Sequence, residues 1–203
     1  MSDLLAATES EYWSEVAADP ARIAAEVHSD LDLDECLVAI LDGINGCFTD
    51  DATVLEVGCG PGRLTHPLAR VYPSVTFVGF DSSERMIELA RGDAPPNCLF
   101  VGTDGRDFGE ADAGFFDAAY SMTTFQHIPP TAQIGYVAAV AQALRPGGRF
   151  RCQVVTTGDV AAFNYPTDLE PFLYGAHRAG LRPISQDDDL IRPGWTWITW
   201  EKT

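Results

Sequence analysis

From Thr53 onward the chain alternates between two patterns: short runs of apolar and β-branched residues, and longer stretches in which apolar residues return every three or four positions. The first pattern predicts strands over residues 54–57, 75–80, 98–102, 115–121 and 149–155, and the second predicts helices over 63–71, 84–91 and 130–144. In the last of these helices Ile134, Val137, Ala138, Ala141 and Leu144 share one face. A further helix over 168–179 precedes two strands, 181–186 and 195–200, joined by a short Asp/Pro/Gly loop. So short a link implies an antiparallel hairpin, because parallel neighbours need a longer crossover. Strands alternating with helices predict right-handed βαβ units, hence a parallel sheet covered on both faces, here finished by one antiparallel strand.

The first fifty residues read differently. Residues 9–18 and 20–27 carry short helical patterns, and residues 33–44 place apolar side chains at Leu33, Leu37, Val38, Ile40, Leu41 and Ile44. Asp19-Pro20 punctuates the first two, with Pro20 suited to an initial helical position. A helical cap over residues 1–50 is therefore expected to lead into a core domain over 51–203.

Composition narrows the picture. The chain has 203 residues, 46% of them hydrophobic, enough for one domain of ordinary size. No apolar run approaches the roughly 20 residues of a membrane span, and the first residues lack the basic region and apolar core of a signal peptide, so the cytoplasm is expected and no membrane partner. The five cysteines are widely spaced without a C-x-x-C pair, which argues against a disulfide framework or structural zinc; no metal is expected. Against 13 Lys and Arg stand 30 Asp and Glu, a formal net charge of −17. Such a surface repels phosphate backbones, so nucleic acid is not an expected partner.

The strongest local signal is Val54-Leu-Glu-Val-Gly-Cys-Gly-Pro-Gly-Arg-Leu-Thr65, a buried strand running into Gly58, Gly60 and Gly62 and then a helix. Glycine is needed where the backbone takes positive φ or where a ligand lies against the main chain. In open α/β sheets this turn sits at the carboxyl ends of the strands, where ligands bind. A dinucleotide fingerprint would place its third glycine where Arg63 stands, and Glu56 would face a pyrophosphate unfavourably. Glu56 suits a cationic ligand instead, such as the ammonium of a methionine moiety. Asp81, ending the next strand, can bind both hydroxyls of a ribose. Met86, one turn into the following helix, either packs on an adenine face or fills the core. Asp104, after the third strand, can accept from an adenine amino group, with Gly105 following it.

These stretches together, VLEVGCGPGRLT, FVGFDSSERMIELA, VGTD, FFDAAYSMTTFQHIP and LRPGGRF, resemble the class I S-adenosylmethionine-dependent methyltransferases, in a small-molecule branch of that superfamily. The resemblance covers residues 53–150 and extends to the terminal hairpin. It implies an α/β, Rossmann-like sheet of seven strands in order 3-2-1-4-5-7-6, with strand 7 antiparallel. It also implies S-adenosylmethionine as cofactor and S-adenosylhomocysteine as product. By the same resemblance Glu56 and the loop Gly58, Cys59, Gly60 and Gly62 hold the methionine end, Asp81 and Ser82 the ribose, and Met86, Thr103, Asp104 and Gly105 the adenine. Gly105 departs from the family, where a bulkier residue often packs the adenine. The Tyr120 or Ser121 carbonyl is a candidate for the cofactor ammonium.

The fourth strand should end beside the transferable methyl, so residues 120–129 are expected to line the reaction centre. Within them His127 alone titrates near neutral pH, and it is either the general base or a histidine packing the helix entry ahead of Pro129-Pro130. Tyr12, Trp13, Phe125, His127 and Tyr165, with Phe163, are candidates to enclose a planar acceptor, or are core plugs. Asp187-Asp188-Asp189 reads as a solvated acidic turn, or as an attractor of cations. The reading is therefore a methyltransferase acting on an O or N atom of a small molecule, as a monomer or homodimer. A S-adenosylmethionine-binding regulatory or assembly protein without transfer activity is the alternative; a NAD(P)-dependent oxidoreductase is opposed by Arg63 and Glu56.

Overall fold

The computed structural model describes residues 2–27, 32–103, 108, 113–157, 165–189 and 192–203. Seven strands form one sheet: β1 (Thr53–Val57), β2 (Thr76–Asp81), β3 (Cys98–Gly102), β4 (Phe116–Ser121), β5 (Leu144–Val155), β6 (Leu181–Asp188) and β7 (Trp195–Lys202), in order β3-β2-β1-β4-β5-β7-β6. The first five pair in parallel, while β7 runs antiparallel to both β5 and β6. The helices are α1 (Ser2–Ala18), α2 (Pro20–Arg22), α3 (Leu33–Leu41), α4 (Thr65–Val71), α5 (Glu84–Gly92), α6 (Pro130–Ala143) and α7 (Leu169–Arg178). A π-type turn, Ile23–Val27, continues α2, and a 3-10 turn, Phe125–His127, precedes α6. Among the described residues no helix is long and apolar enough to cross a membrane.

Both faces of the sheet are buried, which is why its strands read as apolar runs rather than as clean alternation. Leu55 and Val57 join Phe150, Cys152, Trp200 and the apolar stripes of α6 and α7 on one face. Val54, Phe77, Ala118 and Tyr120 join Ile40, Ile44 and Leu68 from α3 and α4 on the other. Two arginines of β5 fasten the α3 segment to the face of the sheet. Arg151, 3% exposed, donates to the Ala39 carbonyl at 2.6 Å and to Thr199 Oγ1 at 2.7 Å, and Arg149 donates to the Gly43 carbonyl at 2.8 Å.

Element ends differ from the sequence reading where tertiary pairing overrides local pattern. β5 begins at Leu144 rather than Arg149, because Leu144 pairs with Phe116 across a register shift. β6 runs on to Asp188, since Asp187 and Asp188 pair with Trp197 and Thr196. The three aspartates therefore form no common turn. Asp189 is buried, accepting from Gln153 Nε2 at 2.5 Å, Trp197 Nε1 at 3.1 Å and the Arg192 N–H at 3.0 Å.

Candidate active site

The turn after β1 is shaped by its glycines. Gly58, Gly60 and Gly62 have φ of +73°, +52° and +83°, the left-handed region that residues with a Cβ avoid. A Cβ at Gly58 would stand 2.3 Å from the Thr124 side chain. The turn is tied to β2, because the Gly58 and Cys59 N–H groups both donate to the Phe80 carbonyl, at 2.8 and 3.0 Å. That close approach requires Gly79 beneath it, where a Cβ would lie 2.7 Å from Cys59 Cβ.

Two carboxylates flank the turn, Glu56 buried and Asp81 half-buried. Asp81 accepts from the Gly60 and Ser83 N–H groups, each at 2.9 Å and each on a different oxygen. Burial raises its pKa, while those N–H donors pull it back down. Glu56, 2% exposed, accepts from Tyr120 Oη at 2.8 Å and from Thr65 Oγ1. Burial pushes its carboxyl up to about 7, against the opposing pull of those two hydroxyls and of the Arg63 charge.

Above the carboxyl ends of β1, β2 and β4 lies a cavity of about 400 Å³, within the range of small-ligand sites. Glu56, Gly58, Cys59, Gly60, Asp81, Ser82, Met86 and Thr103 line one part of it. Trp13, Gln126 and His127 line another, with Glu9 and Glu26. Helix α1 lies over this second part. Ser10 Oγ donates to the Ser82 carbonyl at 2.8 Å, Ser14 Oγ lies 3.0 Å from Ser83 Oγ, and Val16 and Ala17 pack on Met86. One helical face thus docks on the start of α5, while Glu9 and Trp13, four residues apart, reach the cavity. The Trp13 ring meets the His127 ring edge-on, with centroids 4.8 Å apart.

Several sequence expectations require correction. Phe125 does not line the cavity: it is fully buried against Phe150 and Phe172, in the aromatic core under α7. The side chains of Tyr120 and Ser121 are not in the lining, their hydroxyls being engaged by β1, at Glu56 and at the Val57 carbonyl, and those bonds leave the candidacy of their carbonyls for the ammonium untouched. Residues 122–124 take that place. Gly62 packs against His66 on the far side of the turn, where a Cβ would stand 2.5 Å from the ring. Tyr12 is held outside the lining by its hydrogen bond to Glu26 and by Arg22 over its ring, and Tyr165 sits behind Gln126, its N–H donating to the Gln126 carbonyl at 2.6 Å. Met86 serves both of its readings, packing on α1 and lining the cavity. Asp104, Gly105 and Phe163 lie outside the described residues.

Glu9, Glu26 and Arg192, which the sequence reading passed over, also line the cavity, and from the expected segment so do Thr123 and Gln126. Thr123 among them has φ of +55°, an outlier for a β-branched residue. Its N–H donates to Gln153 Oε1 at 3.2 Å, and Gln153 is in turn held by Asp189. No local signal marks Gln153 or Asp189, since their role depends on β5 and β7 lying side by side.

The strand order, the glycine turn and the two acids at the ends of β1 and β2 are the arrangement that the resemblance to class I S-adenosylmethionine-dependent methyltransferases implies. Residues 54–148 match the family model described as a methyltransferase domain. It is 34% identical over 141 residues to a trans-aconitate 2-methyltransferase of Deinococcus radiodurans, covering 66% of this chain and 52% of that protein. It is 26% identical over 171 residues to a ubiquinone biosynthesis O-methyltransferase of Cereibacter sphaeroides, covering 71% and 66%. The chain thus spans about half the length of the trans-aconitate relatives it matches. In fold it is similar to a TehB-like SAM-dependent methyltransferase from Corynebacterium glutamicum, with a TM-score of 0.68 at 21% identity over 94% of this chain and 98% of the other.

The residues present fit the family's cofactor. Glu56 and Asp81 offer acceptor oxygens to an ammonium and to ribose hydroxyls, and the positive-φ turn between them removes side chains from the ligand's path.

Proposed function

We propose that the chain transfers a methyl group from S-adenosylmethionine to an oxygen or nitrogen atom of a small-molecule acceptor, releasing S-adenosylhomocysteine. The observation that carries this reading is the shared cavity, in which Glu56, Gly60 and Asp81 meet Trp13, Gln126 and His127. When bound, S-adenosylmethionine supplies a methyl group made electrophilic by its sulfonium, so the protein's task is mainly positioning and exclusion of water. Glu56 receives the cofactor's ammonium, Asp81 its ribose, and Met86 with Thr103 the adenine side, with Asp104 and Gly105 following Thr103. Helix α1 excludes water from the acceptor end, and residues 1–50 act as a cap on a core of residues 51–203.

His127 is the proposed general base. Its Nε2 lies 3.1 Å from Gln126 Nε2, and with the amide nitrogen as donor that ring atom is the imidazole's acceptor. The relatives named for trans-aconitate and for ubiquinone biosynthesis support a compact acceptor, as does a cavity of about 400 Å³ shared with the cofactor. The net charge of −17 and the lack of a membrane-crossing helix among the described residues support a cytoplasmic enzyme without nucleic-acid or membrane partner, acting as a monomer or homodimer.

Calorimetric titration with S-adenosylmethionine, followed by an assay for S-adenosylhomocysteine release in a mixed metabolite extract, tests the reading. Binding with turnover is expected. Binding without turnover on any extract would leave a cofactor-binding protein and remove the transfer step.

A further inference from the structure

Two acceptor oxygens at the α1 end of the cavity are unclaimed. Glu9 Oε1 and Gln126 Oε1 are buried with no hydrogen-bond partner among the described residues, and both residues line the cavity. Gln126 is 4% exposed, with its amide nitrogen 3.1 Å from His127 Nε2. A buried acceptor without a hydrogen bond is unfavourable, and a ligand donor removes that cost.

Of the other charges of the cavity, Glu56, Asp81 and Arg63 stand on the cofactor side, where the Arg63 charge acts on Glu56. Glu26 accepts from Tyr12 Oη and pairs with Arg22 Nε at 2.9 Å. Arg192, across the cavity, lies over the Trp195 ring at 4.8 Å beside Asp189. Glu9 is thus the carboxylate left to meet a ligand. A ligand carboxylate brings only acceptors and would be repelled by both oxygens; a hydroxyl brings one donor for two. A protonated primary amine brings three N–H donors and no acceptor, and the adjacent indole of Trp13 favours a cation.

The geometry points to a primary amine as the acceptor group, held by Glu9 Oε1 and Gln126 Oε1 under Trp13, with Glu9 taking for such an acceptor the base role otherwise proposed for His127. This rests on the proposed transfer from S-adenosylmethionine and specifies its acceptor as nitrogen. In the proton step one N–H bond of the ammonium breaks, its electron pair stays on nitrogen, and the proton bonds to Glu9. The nitrogen lone pair so freed is the nucleophile. Burial holds the Glu9 carboxyl at about 7, close to the range a general base needs.

The test uses the full chain saturated with S-adenosylhomocysteine, titrated calorimetrically with tyramine and ethanolamine, and with trans-aconitate and 4-hydroxybenzoate as non-amine controls. Turnover of S-adenosylmethionine with each compound is followed in parallel. At least one amine is expected to bind and to be methylated in preference to both controls. Glu9→Gln is expected to weaken amine binding at least tenfold while leaving S-adenosylmethionine affinity within twofold and without lowering the melting temperature. Gln126→Leu should weaken amine binding in the same direction. Binding of neither amine, preference for either control, or undiminished amine binding by Glu9→Gln would overturn the inference while leaving the cofactor reading intact. Failure to bind S-adenosylmethionine in the same titration would remove both.

Discussion

Tyr120 on β4 and Glu56 on β1 stand side by side in the parallel register, and the tyrosine hydroxyl donates to the carboxylate at 2.8 Å. The only acid on β1 is thereby buried at the mouth of the glycine turn with two hydroxyl donors, and the phenol contributes from beneath the site rather than within it. Removing that donor in Tyr120→Phe leaves Glu56 with Thr65 alone. The expected loss of stability is about 1.5–3 kcal/mol, the range for a hydrogen bond to a group that carries charge. Urea unfolding at pH 8 checks this, and an unchanged midpoint would contradict it.

Glu56 also sets a pH dependence. Its folded pKa, about 7, lies above the ordinary value of 4.5, so the folded state holds a proton that the unfolded chain releases. Its contribution is fully present below about pH 4.5 and is lost as pH rises through 7. Glu56→Gln should therefore be more stable than the parent at pH 8, by on the order of 2 kcal/mol, with the difference vanishing near pH 4. Cofactor affinity should move the other way, rising in the parent as the carboxylate ionises and staying flat and weak in the variant. Thermal melts and calorimetry from pH 5 to pH 8 measure both.

Asp81 joins the glycine turn to the start of α5 by accepting from two N–H donors, those of Gly60 and Ser83. Asp81→Ala should lose S-adenosylmethionine affinity by about 30- to 100-fold, corresponding to a charge-assisted contact of roughly 2–3 kcal/mol. Unchanged affinity in calorimetry would take Asp81 out of the cofactor site.

His127→Ala should bind S-adenosylmethionine normally and turn over more slowly, with a deficit that shrinks at high pH if the imidazole is a base. A deficit independent of pH would reduce its part to positioning Trp13 and Gln126. The pH profile of kcat in the two proteins decides.

Thr123 holds a left-handed conformation that glycine adopts without strain. Thr123→Gly should raise stability by up to about 1 kcal/mol and lower turnover, because the strained loop is fixed by Gln153 at the cavity wall. If turnover is unchanged, the strain serves the fold alone.

Much of the site was legible in the sequence, for local reasons. The period of the apolar positions separates strand from helix, Gly58 and Gly60 mark a turn that tolerates no Cβ, and Glu56 and Asp81 follow from their places on β1 and at the end of β2. Each of these properties is carried by a few neighbouring residues, so the cofactor half of the cavity could be placed before any coordinates.

The acceptor half could not. Phe125 and Gln126 are adjacent in one 3-10 turn, whose side chains leave the axis about 120° apart; one is buried against Phe150 and Phe172, the other lines the cavity. Nothing local says which goes where, because the choice is made by the aromatic core that β5, β7 and α7 assemble around Phe125. Glu9 and Trp13 likewise reach the cavity only because Ser10, Ser14 and Val16 dock α1 on the start of α5, more than 65 residues away in the chain. The sequence by itself determined the sheet, the turn and the cofactor's acids, while the packing of distant elements decided which groups face the acceptor.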